Sequence, residues 1–248
     1  MDHRRHYGRG WRHLAETVFL GHYGVAFALK RVEPKLSLGT LFVAVQLADL
    51  LWGVFLVLGW EHATIVPENP VIPLEFTDYP ISHGLLGMAL WSGVAAALYY
   101  SWPTRDTTRH WQASVLVGLA VLTHFPLDYL VHVRDLPLVD NDSLKVGLGL
   151  WNHPVAAMLA ELLALSAGVA VYFGLRSLRH PVRPARLAVL ILLLLATYFA
   201  AQHGPVPPNI TTLGVSDVVL LLALAAVAAW ADRRPTAAEL EGRRVSSR

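Results

Sequence analysis

The sequence predicts an all-α fold: a polytopic transmembrane helical bundle of six to seven membrane segments. Three observations carry that expectation. Hydrophobic residues make up 54% of the 248 positions and charged residues only 15%, against roughly 25% charged in a soluble domain. Several apolar runs approach the ~20 residues that a helix needs to cross a bilayer. The basic residues also alternate between connections. Positions 30–37, 103–112, 176–186 and the C-terminal end carry Lys and Arg, whereas 61–80 and 202–214 carry none. The positive-inside rule then assigns the basic connections and the C-terminus to the cytoplasm.

The net charge of +2 is that of arginines retained at one membrane face, so no nucleic-acid partner is expected. There is no cysteine, which excludes disulfides and thiolate metal sites. Twelve histidines are present, several within or beside the apolar runs. The chain divides into a basic N-terminal tail at 1–12, a transmembrane domain at 13–231 and a basic C-terminal tail at 232–248.

The first apolar segment, 14–29, holds Glu16 and His22 and is short for a span. It reads as a first span or as a re-entrant or interfacial helix. The second reading is preferred, because it keeps the basic tail inside. The second segment, Leu38–Trp60, carries Asp49 at its middle. An acidic, proline-rich loop follows at 61–80. The third segment, Ile81–Trp102, opens with Ser82-His83-Gly84. The fourth, Ala113–Val133, ends in His124, Asp128 and His132, spaced i, i+4, i+8 and so stacked on one helical face. Pro126 is expected to kink it there. The fifth, Leu150–Leu175, opens with Trp151-Asn152-His153-Pro154 and contains Glu161. The sixth and seventh are Leu187–Ala201 and Val215–Ala231, with Asp217 at the mouth of the last.

This topology sorts the polar residues by depth. Segment 4 runs outward, so His124, Asp128 and His132 approach the outer face, where His83 and His153 open their own segments. Asp49, Glu161 and His22 lie near mid-depth, at ~1.5 Å per residue from their helix ends. Ionisable groups inside a membrane are costly and point to function. Imidazole nitrogen and carboxylate oxygen together suit a divalent cation. Plainer roles compete at several positions: His132 as an interfacial side chain, His83 and His153 as helix-mouth residues, Asp49 and Glu161 as interhelical hydrogen-bonding groups. His203 and Asp217 are left outside the site as rim residues.

With these residues in view, the chain resembles the predicted membrane-bound metal-dependent hydrolases, a family that includes LexA-binding inner-membrane proteins. Gly21-His22, Asp49, Ser82-His83 and His124-x-x-x-Asp128 carry the resemblance, over about residues 18–165. The two spans within 187–231 are an addition to that core. The order of these residues is also similar to that of zinc-dependent phospholipases C and single-strand nucleases. The resemblance implies His22, Asp49, His83, His124, Asp128 and His153 as metal ligands, and a phosphoester substrate. Two departures stand out. Asp78-Tyr79-Pro80-Ile81 occupies the place of the His-Arg pair that usually precedes the Ser-His motif. Position 157, Glu in the soluble enzymes, is Ala, with Glu161 one turn later.

The first functional expectation is a bacterial inner-membrane, metal-dependent hydrolase. It would hold one or two divalent ions, zinc foremost, and act at the outer face on a lipid or other small-molecule substrate, with membrane lipid as its partner. Bound water at such an ion is acidic enough to supply hydroxide at neutral pH. Asp128 or Glu161 would take the catalytic proton. The alternatives are a transporter or permease with an intramembrane His/Asp site, a haem-binding protein and a structural membrane protein.

Overall fold

A computed structural model of the chain describes residues 20–67, 73–102, 110–174 and 184–233. The N-terminal tail, Glu16, the loop residues Arg105, Arg109, Arg176, Arg179 and Arg183, and the tail beyond Arg233 lie outside the described residues. The fold is predominantly helical. It begins with α1 (Leu20–Val32), α2 (Leu38–Val45) and α3 (Leu47–Leu58). A hairpin of β1 (His62–Ile65) and β2 (Leu74–Asp78) leads to α4 (Pro80–His83) and α5 (Leu85–Ser101). Then come α6 (His110–Leu122), α7 (His124–Val131), a second small hairpin of β3 (Leu136–Pro137) and β4 (Lys145–Val146), and a 3-10 turn (Leu150–Asn152). The long helices α8 (Pro154–Gly174), α9 (Pro184–His203) and α10 (Ile210–Asp232) complete the order.

Among the described residues, four helices are long and apolar enough to cross a membrane: α6 continued by α7, α8, α9 and α10; the bent pair α2–α3, counted as one span, makes a fifth. The six to seven spans read from the sequence are not confirmed. α5, at 17 residues, falls short of the ~20 that a bilayer requires. The described part of α1 has 13 residues. Its Gly21 meets Glu161, the eighth residue of α8, and Gly24 meets Ala164 and Leu165. α1 therefore runs alongside α8 in the same direction, beginning roughly 10 Å below the first residue of α8.

The surface carries the apolar residues and the interior carries many of the polar ones. Leu86, Leu90, Val94 and Leu98 form an exposed stripe down α5, and Leu159, Leu163, Leu192 and Val219 are exposed on α8, α9 and α10. His22, Gln46, Glu61, Ser82, His83, His124, Asp128, His132 and Glu161 are buried. That inversion of the soluble pattern suits a hydrocarbon solvent, in which helices associate through small residues rather than through burial of apolar area. Gly168 packs directly on the Gly24 backbone, and Gly214 on that of Gly53. At one end Lys30 Nζ donates to Asp232 Oδ2 at 2.7 Å and to the Pro34 and Leu36 carbonyls, tying α10 to α1.

Three expected segments are interrupted, and the interruptions lie around the polar cluster. α2 and α3 meet at Gln46 with a 58° bend. α6 gives way to α7 at Thr123, as Pro126 cannot donate to the Leu122 carbonyl. The third segment divides at Gly84, where a side chain would collide with the Pro80 carbonyl. The two hairpins depart from an all-α fold. Leu74-Glu75-Phe76-Thr77-Asp78 alternates in exposure, the period-2 signature of a strand. Its Phe76 packs among Trp52, Tyr79, His132 and Trp151, so the hairpin roofs the cluster.

The glycine contacts make the bundle sensitive to added volume. Gly168→Leu should lower the melting midpoint of the detergent-solubilised protein by about 5 °C or more, since overpacking of this kind costs ~1–3 kcal/mol and ~2–4 °C follow each kcal/mol in a chain of this size. Gly93→Ala, where nothing lies within 4 Å of the added carbon, should leave the midpoint in place.

Candidate metal centre

Four helices and one loop deliver the donors. His22 lies in the first turn of α1, and its Gly21 N–H donates to Glu161 Oε2 at 2.7 Å. A carboxylate at a helix N-terminus satisfies an otherwise orphaned N–H and complements the helix dipole, so Glu161 sets the start of α1 and with it His22. Asp49 falls in the first turn of α3 because the preceding helix stops at Val45. His83 ends the four-residue α4, which has Pro80 in its first turn, a position suited to a residue without an N–H. His124 and Asp128 begin α7, just past its break with α6, and His132 is the C-cap of α7.

The inner nitrogens of three rings are already engaged. His124 Nδ1 donates to the Val45 carbonyl at 2.8 Å. A carbonyl only accepts, so that nitrogen carries a proton. His83 Nδ1 contacts Ser82 Oγ at 2.8 Å, and His132 Nδ1 donates to Asp135 Oδ1 at 3.0 Å. The outer nitrogens converge on two carboxylates. His83 Nε2 is 3.2 Å from Asp49 Oδ1, and His124 Nε2 is 3.6 Å from the same oxygen. Asp128 Oδ2 is 3.1 Å from His124 Nε2, 3.8 Å from His83 Nε2 and 3.9 Å from His132 Nε2. Asp128 Oδ1 faces His22 Nε2 at 3.3 Å.

These spacings suit a shared cation. Donors held ~2.1 Å from a tetrahedral zinc ion lie about 3.4 Å from one another, and the four closest contacts above span 3.1 to 3.6 Å. Two groups, His22–His124–Asp128 and Asp49–His83–His124, place all their donor atoms within 4.8 Å of one another. His124 belongs to both. Because its Nδ1 is committed to Val45, it offers a single nitrogen. Asp128 has both oxygens directed at imidazoles. The Nδ1 partners of His83, His124 and His132 are the outer shell that fixes tautomer and ring orientation in metal sites.

The cluster is dry except at one point. The side chains of His22, His83, His124, Asp128 and His132 are at most 6% exposed, whereas that of Asp49 is 25% exposed. Asp217 on α10 lies near enough to Asp49 to act on it electrostatically, and its Oδ2 borders Gly53, one turn beyond Asp49. Just outside the helices, burial pushes the Glu61 carboxyl up from its ordinary range, partly offset by its hydrogen bonds from Ser82. Burial also raises the Tyr79 hydroxyl, which the nearby Asp135 and Asp128 carboxylates reinforce.

No family profile, curated protein or solved structure matches the chain.

Of the residues singled out in the sequence, the fold brings together His22, Asp49, His83, His124 and Asp128. His153 does not join them: it is exposed at the end of the 3-10 turn. Glu161 is spent on the α1 N-terminus. His132, weighed above as an interfacial side chain, is buried with its ring 4.0 Å from that of Trp151. Its i+8 spacing from His124 was the available signal. Asp135 and Glu61, which orient the cluster from outside, had no such signal, since each lies in a loop rich in acidic residues.

His132→Ala should weaken zinc binding by ~10-fold or more, and His153→Ala should leave it within about twofold of wild type. Competition with a chromophoric chelator measures both.

Proposed function

We propose that the chain is a membrane-embedded, metal-dependent hydrolase. It holds one or two divalent ions, zinc foremost, through His22, Asp49, His83, His124 and Asp128, with His132 beside them. The observation that carries this reading is the convergence of histidine Nε2 atoms on the buried Asp128 and the half-buried Asp49, with the Nδ1 atoms of His83, His124 and His132 already engaged. Without a cation those carboxylates would have to be neutralised by protons on the same nitrogens. A divalent ion cancels their charge and leaves every imidazole neutral, which is the ligating form.

When bound, such an ion lowers the pKa of coordinated water to about 7 and polarises a phosphoryl or carbonyl oxygen. The protein's own contribution is to hold the ligands, exclude water on all sides but one, and accept a proton. Asp49, the most exposed of the ligands, marks where substrate and water reach the centre, and its carboxylate is suited to take the proton. Glu161 is engaged elsewhere. The cluster lies toward the end of the bundle that carries the two hairpins, which the distribution of basic residues assigns to the outer face with the C-terminus cytoplasmic. An apolar cleft of about 470 Å³ borders α4, the helix that carries His83, and is lined by Pro80, Ile81, Leu90, Trp91 and Val139 among others. It favours a substrate with a hydrocarbon part, such as a lipid with a phosphoester head group, as the resemblance to membrane-bound hydrolases and phospholipases C suggests.

A second reading, an ion-coupled transporter, is favoured by the broken pair α2–α3, since discontinuous helices at mid-depth are a common device of such proteins. The contact between the His22 and His124 rings, at 4.1 Å between centroids, weighs against a haem held between them.

Elemental analysis of the purified protein should give at least one divalent ion per chain, lost in His124→Ala and Asp128→Ala. Reconstituted into vesicles containing a phospholipid, the wild type should release phosphorylated head group and the two variants should not. Metal-dependent ion flux without hydrolysis would favour the transporter. A folded wild type without metal would contradict the hydrolase and leave the transporter or a structural role.

A further inference from the structure

Glu61 is a buried carboxylate at the end of α3, 1% exposed, and the metal centre as described makes no use of it. Both of its oxygens bond Ser82, and the Ile81 N–H also reaches the carboxylate. Ser82 N–H donates to Oε1 at 2.8 Å, and Ser82 Oγ lies 2.5 Å from Oε2. The same Ser82 Oγ is 2.8 Å from His83 Nδ1. A serine hydroxyl has one proton and can accept from others. If the proton points to Glu61, Oγ must accept from His83 Nδ1–H, and the His83 Nε2 lone pair is free where it faces Asp49. If the chain ran the other way, Ser82 would donate to His83 Nδ1 and the ring proton would sit on Nε2, blocking coordination.

We infer that Glu61 is a positioning residue: through Ser82 it holds His83 in the tautomer and orientation that present Nε2 to a metal ion. The inference rests on the metal reading above and adds to it a three-residue chain, Glu61–Ser82–His83, of the carboxylate-to-histidine kind that strengthens ligands in metal sites. An acceptor-only group is required at the far end of the chain. An ionised carboxylate is one, and a carboxamide is not. Capping of α4 alone would need only acceptors for the Ile81 and Ser82 N–H groups, not the bond to the Ser82 hydroxyl.

Glu61→Gln separates the two roles. Its amide oxygen can still accept the Ser82 N–H, so the cap survives. Its NH₂, in place of Oε2, donates to Ser82 Oγ and turns the hydroxyl proton toward His83. Zinc affinity of the full-length protein in detergent, measured by competition with a chromophoric chelator, should fall by about 10- to 100-fold in Glu61→Gln. The melting midpoint of the metal-free protein should stay within about 3 °C, the shift that one lost kcal/mol would give. Ser82→Ala should show a comparable loss of affinity and Ser82→Thr, which keeps a hydroxyl, should restore most of it. The double variant Glu61→Gln/Ser82→Ala should bind no more weakly than the weaker single variant, because both act through one path. Zinc bound as tightly by Glu61→Gln and Ser82→Ala as by wild type overturns the inference and leaves the metal centre standing. If Glu61→Gln does not fold, the Ser82→Ala and Ser82→Thr pair decides alone. A wild type that binds no zinc overturns both the inference and the reading beneath it.

Discussion

The hydrogen bond from His124 Nδ1 to the Val45 carbonyl is the contact on which the rest of the site depends. In an unbroken helix that carbonyl would be pledged to the Asp49 N–H four residues on. With His124 taking it, the helix turns at Gln46, and a side chain inserted into the i to i−4 ladder is a recognised cause of sharp bends. The bend puts Asp49 in the first turn of a new helix, facing the imidazole that made the break. One bond thus fixes the protonation of His124, aims its Nε2 at Asp49 and Asp128, and brings in a carboxylate that a straight span would carry past the cluster.

The surrounding architecture serves this arrangement. α1 brings His22 to the depth of the cluster, where Glu161 accepts the Gly21 N–H. Glycine contacts let α1 approach α8, and α3 approach α10, at backbone distance. Phe76 of the first hairpin and Trp151 of the turn before α8 close over His132, and Trp52 and Tyr79 over His83. Polar groups in such a setting are tolerable only when each has a partner. His83, His124 and His132 have theirs on the Nδ1 side, whereas neither ring nitrogen of His22 has a hydrogen-bond partner among the described residues; the Nε2 atoms, His22 and the two aspartates are the unbalanced part of the interior.

Much of the centre was legible in the sequence. His124 and Asp128, one turn apart near the end of an apolar run, needed no more than helical periodicity. Asp49, His83 and His22 followed from depth once the basic residues had oriented the segments. What could not be read were the interruptions. Gln46 carries no proline or glycine signal, because the break there is made by a residue 78 positions away in the chain. Segment 1 looked like a short span or a re-entrant helix, and only its packing on Glu161 and Ala164 shows where it begins. His153 shares a motif with Trp151, but the 3-10 turn directs the tryptophan inward and the histidine out. Leu74–Asp78 sits in a loop where proline spacing masked a strand.

The central claim is that imidazoles and carboxylates from four separate helices converge on one metal centre. X-ray absorption spectroscopy of the zinc-loaded protein tests it directly. The account predicts a first shell of nitrogen and oxygen only, at about 2.0–2.1 Å, with outer-shell scattering from at least two imidazoles. A shell of oxygens alone, without imidazole scattering, would contradict it.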